Sequence, residues 1–401
     1  MTRPDLRRVD EATVWKGDRR DARLRRNPHG VLFEYLPEYD GPDVATTLPR
    51  HAVHTPRTAG ALPPFFSGLL PEGRRLSAIR SATKTSVDDE LTLLLAVGGD
   101  TIGDVRLLPS GTELPTGPVE VVPSQPGEIA FDELFASVLG PELRDRTALP
   151  GVQDKVSGRM ISLPVAFRDA DCILKLDPPE VPHLVANEAF FLRAARASGL
   201  ETADTTLVHD KNGNPGLLVR RFDRTPAKHA TPQRLLPQED ACQVLGRYPA
   251  DKYLLTTEDV ISGLAQWTMA PVVAARTLLR QFAFAFLTGN GDAHAKNFSI
   301  VQQKGEWVVT PAYDLPSTLP YGDATMALSI GGKDREDIGR RDFLTLGKAC
   351  GVPEMATERV LDQLLATAPA WIDHLDELPF DARRVHQIQK ACRYRARRLQ
   401  G

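Results

Sequence analysis

The chain has 401 residues, 42% hydrophobic and 25% charged, with a formal net charge of −3. Those values are ordinary for a globular protein of two or three structural units. They exclude a molecule that binds nucleic acid by its overall charge. The four cysteines, at 172, 242, 350 and 392, form no C-x-x-C pair, so neither a zinc site nor a disulfide framework is indicated. A reduced, cytoplasmic compartment is expected. The start, M-T-R-P-D-L-R-R, has no apolar h-region, and the most apolar stretch, Phe282–Leu287, is too short to span a bilayer, so no membrane contact is expected.

Residues 12–36 predict short strands, A-T-V-W and then V-L-F-E-Y between His29-Gly30 and Pro37. The segment P-P-F-F-S-G-L-L-P-E-G (63–73) is apolar and loop-rich, and residues 88–97 read as a helix stopped by Gly98-Gly99. Four prolines between 115 and 126 mark a linker. Beyond it a short helix is expected at 131–139. Strands follow in V-S-G-R-M-I-S-L, C-I-L-K-L and G-L-L-V-R-R-F, with a helix from about His183 to Ser198 between the last two. From about 238 the pattern is helical: Glu239–Leu245, Thr257–Trp267, Pro271–Thr288, Arg341–Ala349, Glu354–Ala366 and Pro379–Leu399. Strands first and helices afterwards predict an α+β protein with a sheet-rich and a helix-rich lobe. The expected divisions are 1–125, 126–235 and 236–401. Both ends are rich in arginine, with eight in residues 1–26 and six among 383–398. Solvated element faces are the expected reading of these runs, and a patch for an acidic partner or nucleic acid is the other.

The tightest functional constraint lies between Thr288 and Ser299, T-G-N-G-D-A-H-A-K-N-F-S, followed by T-P-A-Y-D-L-P. Phosphoryl transfer needs an oriented acceptor hydroxyl and neutralised phosphate charge, with little covalent help from the protein. Asp292 has the chemistry to accept or orient the hydroxyl proton. Asn297 supplies a neutral oxygen and Asp314 an anionic one, and both suit Mg²⁺. Lys296 is placed to offset charge on the transferred group, and His294 to brace the loop or bind metal. The plainer alternative is that Asp292 and Asn297 only cap and turn a loop.

Lys175 sits in the apolar strand C-I-L-K-L, where it shares a face with Ile173. A lysine there requires an anionic partner. Glu188, thirteen residues on, shares a helical stripe with Leu184, Phe191 and Ala195 and needs a partner as well. A Lys175–Glu188 pair satisfies both and would hold Lys175 against nucleotide phosphates. The turn Gly151-Val152-Gln153-Asp154-Lys155 could offer N–H groups to phosphate but fits neither common glycine-rich phosphate motif. L-L-V-R-R-F-D-R (217–224), with Arg221 and Phe222, reads as a strand leaving the sheet, where a nucleotide base would be gripped.

Together these segments resemble the HipA family of bacterial serine/threonine kinases, the toxin halves of HipBA-type toxin–antitoxin pairs. The likeness is carried by L-P-G-V-Q-D-K (149–155), I-L-K-L (173–176), N-E (187–188), V-R-R-F-D-R (219–224), L-P-Q-E-D-A-C-Q-V-L-G (236–246), D-A-H-A-K-N-F-S (292–299) and Y-D-L (313–315). W-K-G (15–17) and L-L-P-E-G (69–73) are similar to the family's smaller N-terminal subdomain. The resemblance implies a two-lobed protein-kinase-like fold with a small β-rich N-terminal subdomain and a helical C-terminal lobe. It implies ATP with Mg²⁺, Asp292 as catalytic aspartate, Asn297 and Asp314 on the metal, Lys175 on phosphate and Gly151–Lys155 as the phosphate loop.

It also implies a small helix-turn-helix antitoxin (HipB-like), operator DNA reached only through that complex, and a dimer within it. The implied acceptor is a protein, such as an aminoacyl-tRNA synthetase, whose modification arrests growth and promotes persistence. One departure stands out. Family members often carry a serine just before the phosphate loop, and its autophosphorylation inactivates the kinase. Here Ala148 occupies that place and has no hydroxyl. Either Thr147 or another residue serves, or the chain lacks the switch, or the position was substituted. The remaining alternatives are a small-molecule phosphotransferase, a catalytically silent co-repressor bound to the antitoxin, and a metallohydrolase using Asp292, His294 and Asp314.

Overall fold

In the computed structural model, which describes residues 5–52, 54, 61–114, 126–134, 160–168, 170–225 and 233–401, the first sheet is an antiparallel one of four strands. Strands β1 (Glu11–Lys16), β2 (Arg19–Asn27), β3 (Gly30–Tyr35) and β4 (Val105–Pro109) lie in the order β3-β2-β1-β4. One face presents Ala12, Val14, Ala22, Leu24, Val31 and Phe33, all buried. They pack on Phe65 and Phe66 of α1 (Pro64–Gly68) and on Leu91 and Leu94 of α3 (Glu90–Val97). A third helix, α2 (Gly73–Thr83), lies between these two in the chain. The period-two alternation of β2 puts Arg23 and Arg25 on the other face, 3.2 and 3.4 Å from Glu34. Arg19 reaches Asp40 at 2.8 Å, and Arg26 reaches Asp89 at 2.7 Å. The arginine run of this sheet therefore faces its own carboxylates.

Asp21 in β2 is fully buried beside Tyr39. Burial pushes its carboxyl up to about 7, with Tyr39 and Lys16 only partly opposing it. A folded-state value above the unfolded one gives stability that is present below about pH 4 and lost as pH rises through 7. Asp21→Asn is therefore expected to raise the melting temperature at pH 8 and leave it nearly unchanged at pH 4. Thermal melts at the two pH values test this, and an equal shift at both would contradict it.

The second sheet, antiparallel, has the order β5-β6-β8-β7, from β5 (Ile161–Phe167), β6 (Ala170–Leu176), β7 (Thr205–His209) and β8 (Pro215–Arg220). Cys172, Leu174 and Leu176 of β6 join a core with Leu163, Val165 and Leu218, while Ile173 packs on the opposite side, as the alternation predicts. Helix α4 (Leu184–Ala197) lies against β8 with Val185 and Phe191 buried. Its first turn is tied down by Asp177, which accepts from the amides of His183 and Val185 at 3.0 and 2.6 Å.

The helical lobe is built around α7 (Pro271–Thr288), whose Phe282, Phe284 and Phe286 are fully buried. Around it pack α6 (Thr257–Ala265), α8 (Arg340–Ala349), α9 (Glu354–Ile372) and α10 (Ala382–Gln400). Several sequence-based boundaries shift, three of them most. The expected strand at 156–163 is β5, which starts at Ile161, and residues 156–159 lie outside the described ones. The expected helix Glu239–Leu245 is instead strand β9 (Gln238–Asp240) followed by a short helix, α5 (Ala241–Val244). Asp240 pairs with Ser299 in a sheet and caps the helix by accepting from the Gln243 amide at 2.9 Å. Helix α9 runs six residues past Ala366, through Pro369, burying Trp371 and Ile372. The third sheet has the order β11-β10-β9, adding β10 (Ser299–Gln303) and β11 (Glu306–Val309).

Candidate active site

Helix α7 delivers the loop that matters. Pro271 stands in its first turn, where its missing N–H costs nothing, and Gly289 ends it at φ 65°. A Cβ at 289 would lie 2.5 Å from Cγ of Leu319, so both backbone conformation and space require glycine there. The next residue, Asn290, is a double brace. Its Nδ2 donates to the carbonyl of Asp314 at 3.0 Å, and its Oδ1 accepts from the Asp292 amide at 3.1 Å. Asp292 is buried. Its Oδ1 accepts from the Tyr253 hydroxyl at 2.6 Å, and its carbonyl accepts from Nδ2 of Asn297 at 2.8 Å. That last bond commits the amide nitrogen of Asn297 and leaves Oδ1 as the atom it could offer a metal.

Asp314 follows β11 with φ at 52°, a left-handed conformation that a non-glycine residue adopts only when its surroundings hold it. Asn290, Asn297, Tyr313 and Asp314 line one small cleft together with Ala293 and Leu315. From the sheet side, Lys175 Nζ donates to Glu188 Oε1 and Oε2 at 2.7 and 3.0 Å and also meets the Asp314 carboxylate. Burial alone would lower the Lys175 pKa, but Asp314 and Glu188 outweigh it and hold the ammonium charged, above the ordinary lysine range. A strand of the second sheet, a helix beside it and the segment after β11 thus converge on one buried cation.

The other candidates lie as follows. Lys296 is largely covered, and its Nζ donates to the Gly68 carbonyl at 2.9 Å and to Asp240 at 3.1 Å, with Glu72 at 3.8 Å. Its ammonium is engaged beneath the loop by these partners. His294 packs edge-on against Tyr253 with ring centroids 5.1 Å apart, and burial pushes its imidazole down to about 3, so it is neutral. It braces the loop. Among the described residues no group of three or more His, Cys, Asp or Glu has metal-site geometry. The Arg221 guanidinium is buried against Asp223 and Asp100 at 2.7 and 2.8 Å and donates to the Thr101 carbonyl at 2.6 Å. It joins β8 to the segment between α3 and β4. Phe222 packs on Tyr313, centroids 5.6 Å apart, beside Asp314. Gly151, Val152, Gln153, Asp154 and Lys155, with Thr147 and Ala148, lie outside the described residues.

Two family models match the chain, one described as HipA N-terminal domain over residues 12–108 and one as HipA-like C-terminal domain over residues 147–372. The chain belongs to the HipA family. The Sinorhizobium fredii protein Y4mE is 30% identical, aligned over 96% of this HipA-family chain and 97% of its own length. The serine/threonine-protein kinase toxin HipA of Shewanella oneidensis is 29% identical over 70% of this chain and 68% of its own. Among solved structures, a chain of the Shewanella oneidensis MR-1 toxin–antitoxin complex of HipA, HipB and operator DNA matches with a TM-score of 0.77. It covers 96% of each chain at 22% identity, which establishes a shared α+β, two-lobed, HipA-like fold.

Three residues of this HipA-family site carry no local signal. Tyr253 touches Asp292 from 39 positions away in the sequence, on no periodic stripe. Asn290 looks like an ordinary turn residue between two glycines. Glu72 belongs to L-L-P-E-G, a loop segment whose family likeness assigns it no role, yet it meets Lys252 and approaches Lys296. The preceding Asx-rich loop and the P-E-G turn were the available hints, and neither specifies a partner.

Proposed function

We propose that this chain is an ATP- and Mg²⁺-dependent serine/threonine protein kinase acting as the toxin of a bacterial toxin–antitoxin pair. The observation that carries the reading is the Lys175–Glu188–Asp314 bridge, tied through Asn290 to the loop bearing Asp292 and Asn297. In this reading Lys175, kept charged, contacts phosphate oxygens, and Asp292 accepts or orients the acceptor hydroxyl proton. The donor set fits Mg²⁺, which would be held by one carboxylate, Asp314, and one amide oxygen, Asn297. Bound there, the ion would offset charge on the phosphates. Phe222, tilted against Tyr313, marks the nucleotide side of the cleft in this reading. Gly151–Lys155 is proposed as the phosphate loop.

A protein acceptor is favoured by the relative named a serine/threonine-protein kinase toxin. The match to a complex with HipB and operator DNA supports a helix-turn-helix antitoxin as partner, with DNA engaged through it and a dimer within that assembly. A translation component such as an aminoacyl-tRNA synthetase is the proposed substrate, with growth arrest and persistence as the outcome in the cytoplasm. Among the described residues no helix is long and apolar enough to cross a membrane.

The test is transfer of γ-labelled phosphate from Mg·ATP in a bacterial lysate supplied with the purified chain. Label in one or a few protein bands, recovered as phosphoserine or phosphothreonine, is the expected result. Label confined to metabolites would make the chain a small-molecule phosphotransferase. No transfer at all, with antitoxin and operator binding intact, would leave the co-repressor reading.

A further inference from the structure

We infer that Glu72, from the turn between α1 and α2, is a positioning residue that holds the 290–297 loop, and with it Asp292, through Lys252 and Lys296. The N-terminal part of the chain thereby completes the site in the helical lobe. The kinetic consequence rests on the kinase reading above, while the restraint on the loop does not.

Glu72 meets Lys252 with one carboxylate oxygen and lies 3.8 Å from Lys296 with the other. These two lysines reach the loop in different ways. Lys296 is in the loop itself, four residues after Asp292. Lys252 lies outside it, but its carbonyl accepts from the Ala295 amide at 3.1 Å. The next residue, Tyr253, donates to Asp292 Oδ1 at 2.6 Å, and its ring lies 5.3 Å from the Lys252 ammonium. Moving Lys252 therefore moves both the backbone anchor of the loop and the hydroxyl that orients Asp292.

The second arm is as well defined. Lys296 Nζ bonds the Gly68 carbonyl and Asp240, so the N-terminal part of the chain reaches it through Gly68 and Glu72 together. Its own carbonyl accepts from the Tyr313 hydroxyl at 2.9 Å, one residue before Asp314. Burial would push the Glu72 carboxyl up, but Lys296 and Lys252 outweigh it and keep it below the usual range, hence ionised. Nearby Gln243 donates to the Phe65 carbonyl at 2.9 Å, which fixes α1 against α5 and sets the height of the turn that carries Glu72. Without this carboxylate Lys252 loses its ion-pair partner and Lys296 keeps only Gly68 and Asp240, so the two ammonium groups no longer share a counter-charge.

The experiment compares Glu72→Gln, which keeps the shape and removes the charge, with Thr46→Val. The latter cuts a different contact between the same two parts of the chain, the Thr46 hydroxyl's hydrogen bond to Glu239 at 2.6 Å. Amide hydrogen exchange is followed at His294, Ala295 and Asn297, alongside kcat and KM for ATP. Glu72→Gln should speed exchange at these amides about tenfold or more and lower kcat about 10- to 100-fold, as expected for a loop displaced by a fraction of an ångström to an ångström. KM for ATP should stay within about twofold, and Thr46→Val should leave the loop amides and kcat unchanged.

Unchanged exchange at Ala295 in folded Glu72→Gln overturns the inference. So does an equal effect from Thr46→Val, which would reduce Glu72 to one docking contact among several. If the glutamine variant does not fold, Glu72→Asp, still charged but one methylene shorter, should give the same changes in smaller measure, and its failure to do so overturns the inference too. If the wild-type chain transfers no phosphate, the kinase reading falls, and the exchange data alone decide the role of Glu72.

Discussion

Asp292→Asn is expected to lower kcat for phosphoryl transfer by roughly 10²- to 10⁴-fold, the usual contribution of a positioned proton acceptor. The fold should survive. Asparagine is nearly isosteric, and its Oδ1 can still accept from the Tyr253 hydroxyl, which sits 2.6 Å from the native carboxylate. The backbone bonds that shape the loop, from His294 N and Asn297 Nδ2 to the residue 292 carbonyl, are both at 2.8 Å and do not depend on the side chain. Nor does the substitution strand a charge, since it removes one from a buried position. KM for ATP should change little, because the phosphates in this reading are met by Lys175 and the metal ligands and not by Asp292. Steady-state kinetics with Mg·ATP and the labelled protein acceptor check the prediction. A variant within about threefold of wild type would remove Asp292 from the reaction, because a general base cannot be lost at so small a cost.

The sequence was most legible where a signal is local. Helix α7 carries its own start and stop, Pro271 and Gly289, around a continuous apolar run, and it spans Pro271–Thr288 as read. Strand β6 alternates cleanly, so the side of the sheet taken by Lys175 followed from period two alone. The Lys175–Glu188 contact came from a stronger argument than spacing: two charged residues on apolar faces each needed a partner, and pairing them satisfies both. What stayed hidden is non-local. The segment Q-E-D looked helical because A-C-Q-V follows it, but Ser299 and Ile300 recruit it as a strand from sixty residues away. Lys296 stands in the right loop to face a phosphate. Nothing near it in sequence reveals that Gly68, Glu72 and Asp240 lie within reach of its ammonium. Arg221 has the same history, claimed by Asp100 and Asp223 in a junction between sheets. A long cation goes to whichever anion the fold brings closest, and the fold is the part that local sequence does not encode.

Lys175 and Glu188 should show stability and activity coming apart. Lys175→Met leaves two carboxylates, Glu188 at 1% exposure and Asp314, facing each other without their shared cation. Breaking a buried pair from one side costs about 3–5 kcal/mol. Glu188→Leu should cost less, because Lys175 keeps Asp314 as its partner. The double variant Lys175→Met/Glu188→Leu should recover much of the loss, since apolar groups of similar volume replace both members and no buried charge is stranded there; such replacements are often neutral or stabilising. Activity should follow another pattern. Both variants lacking Lys175 lose the cation proposed to meet phosphate, and a fall of about 10²- to 10³-fold in kcat is expected in each, by analogy with removal of one preorganised donor to a developing negative charge. Denaturant unfolding and kinetics on the same three proteins separate the two effects. If the double variant is as unstable as Lys175→Met, the pair is not the source of the cost. If it regains activity along with stability, Lys175 serves the fold alone, and the phosphate contact must be sought elsewhere. If the core can be made apolar with little loss of stability, the lysine and glutamate on its facing elements are kept, in the kinase reading, for the chemistry at its edge.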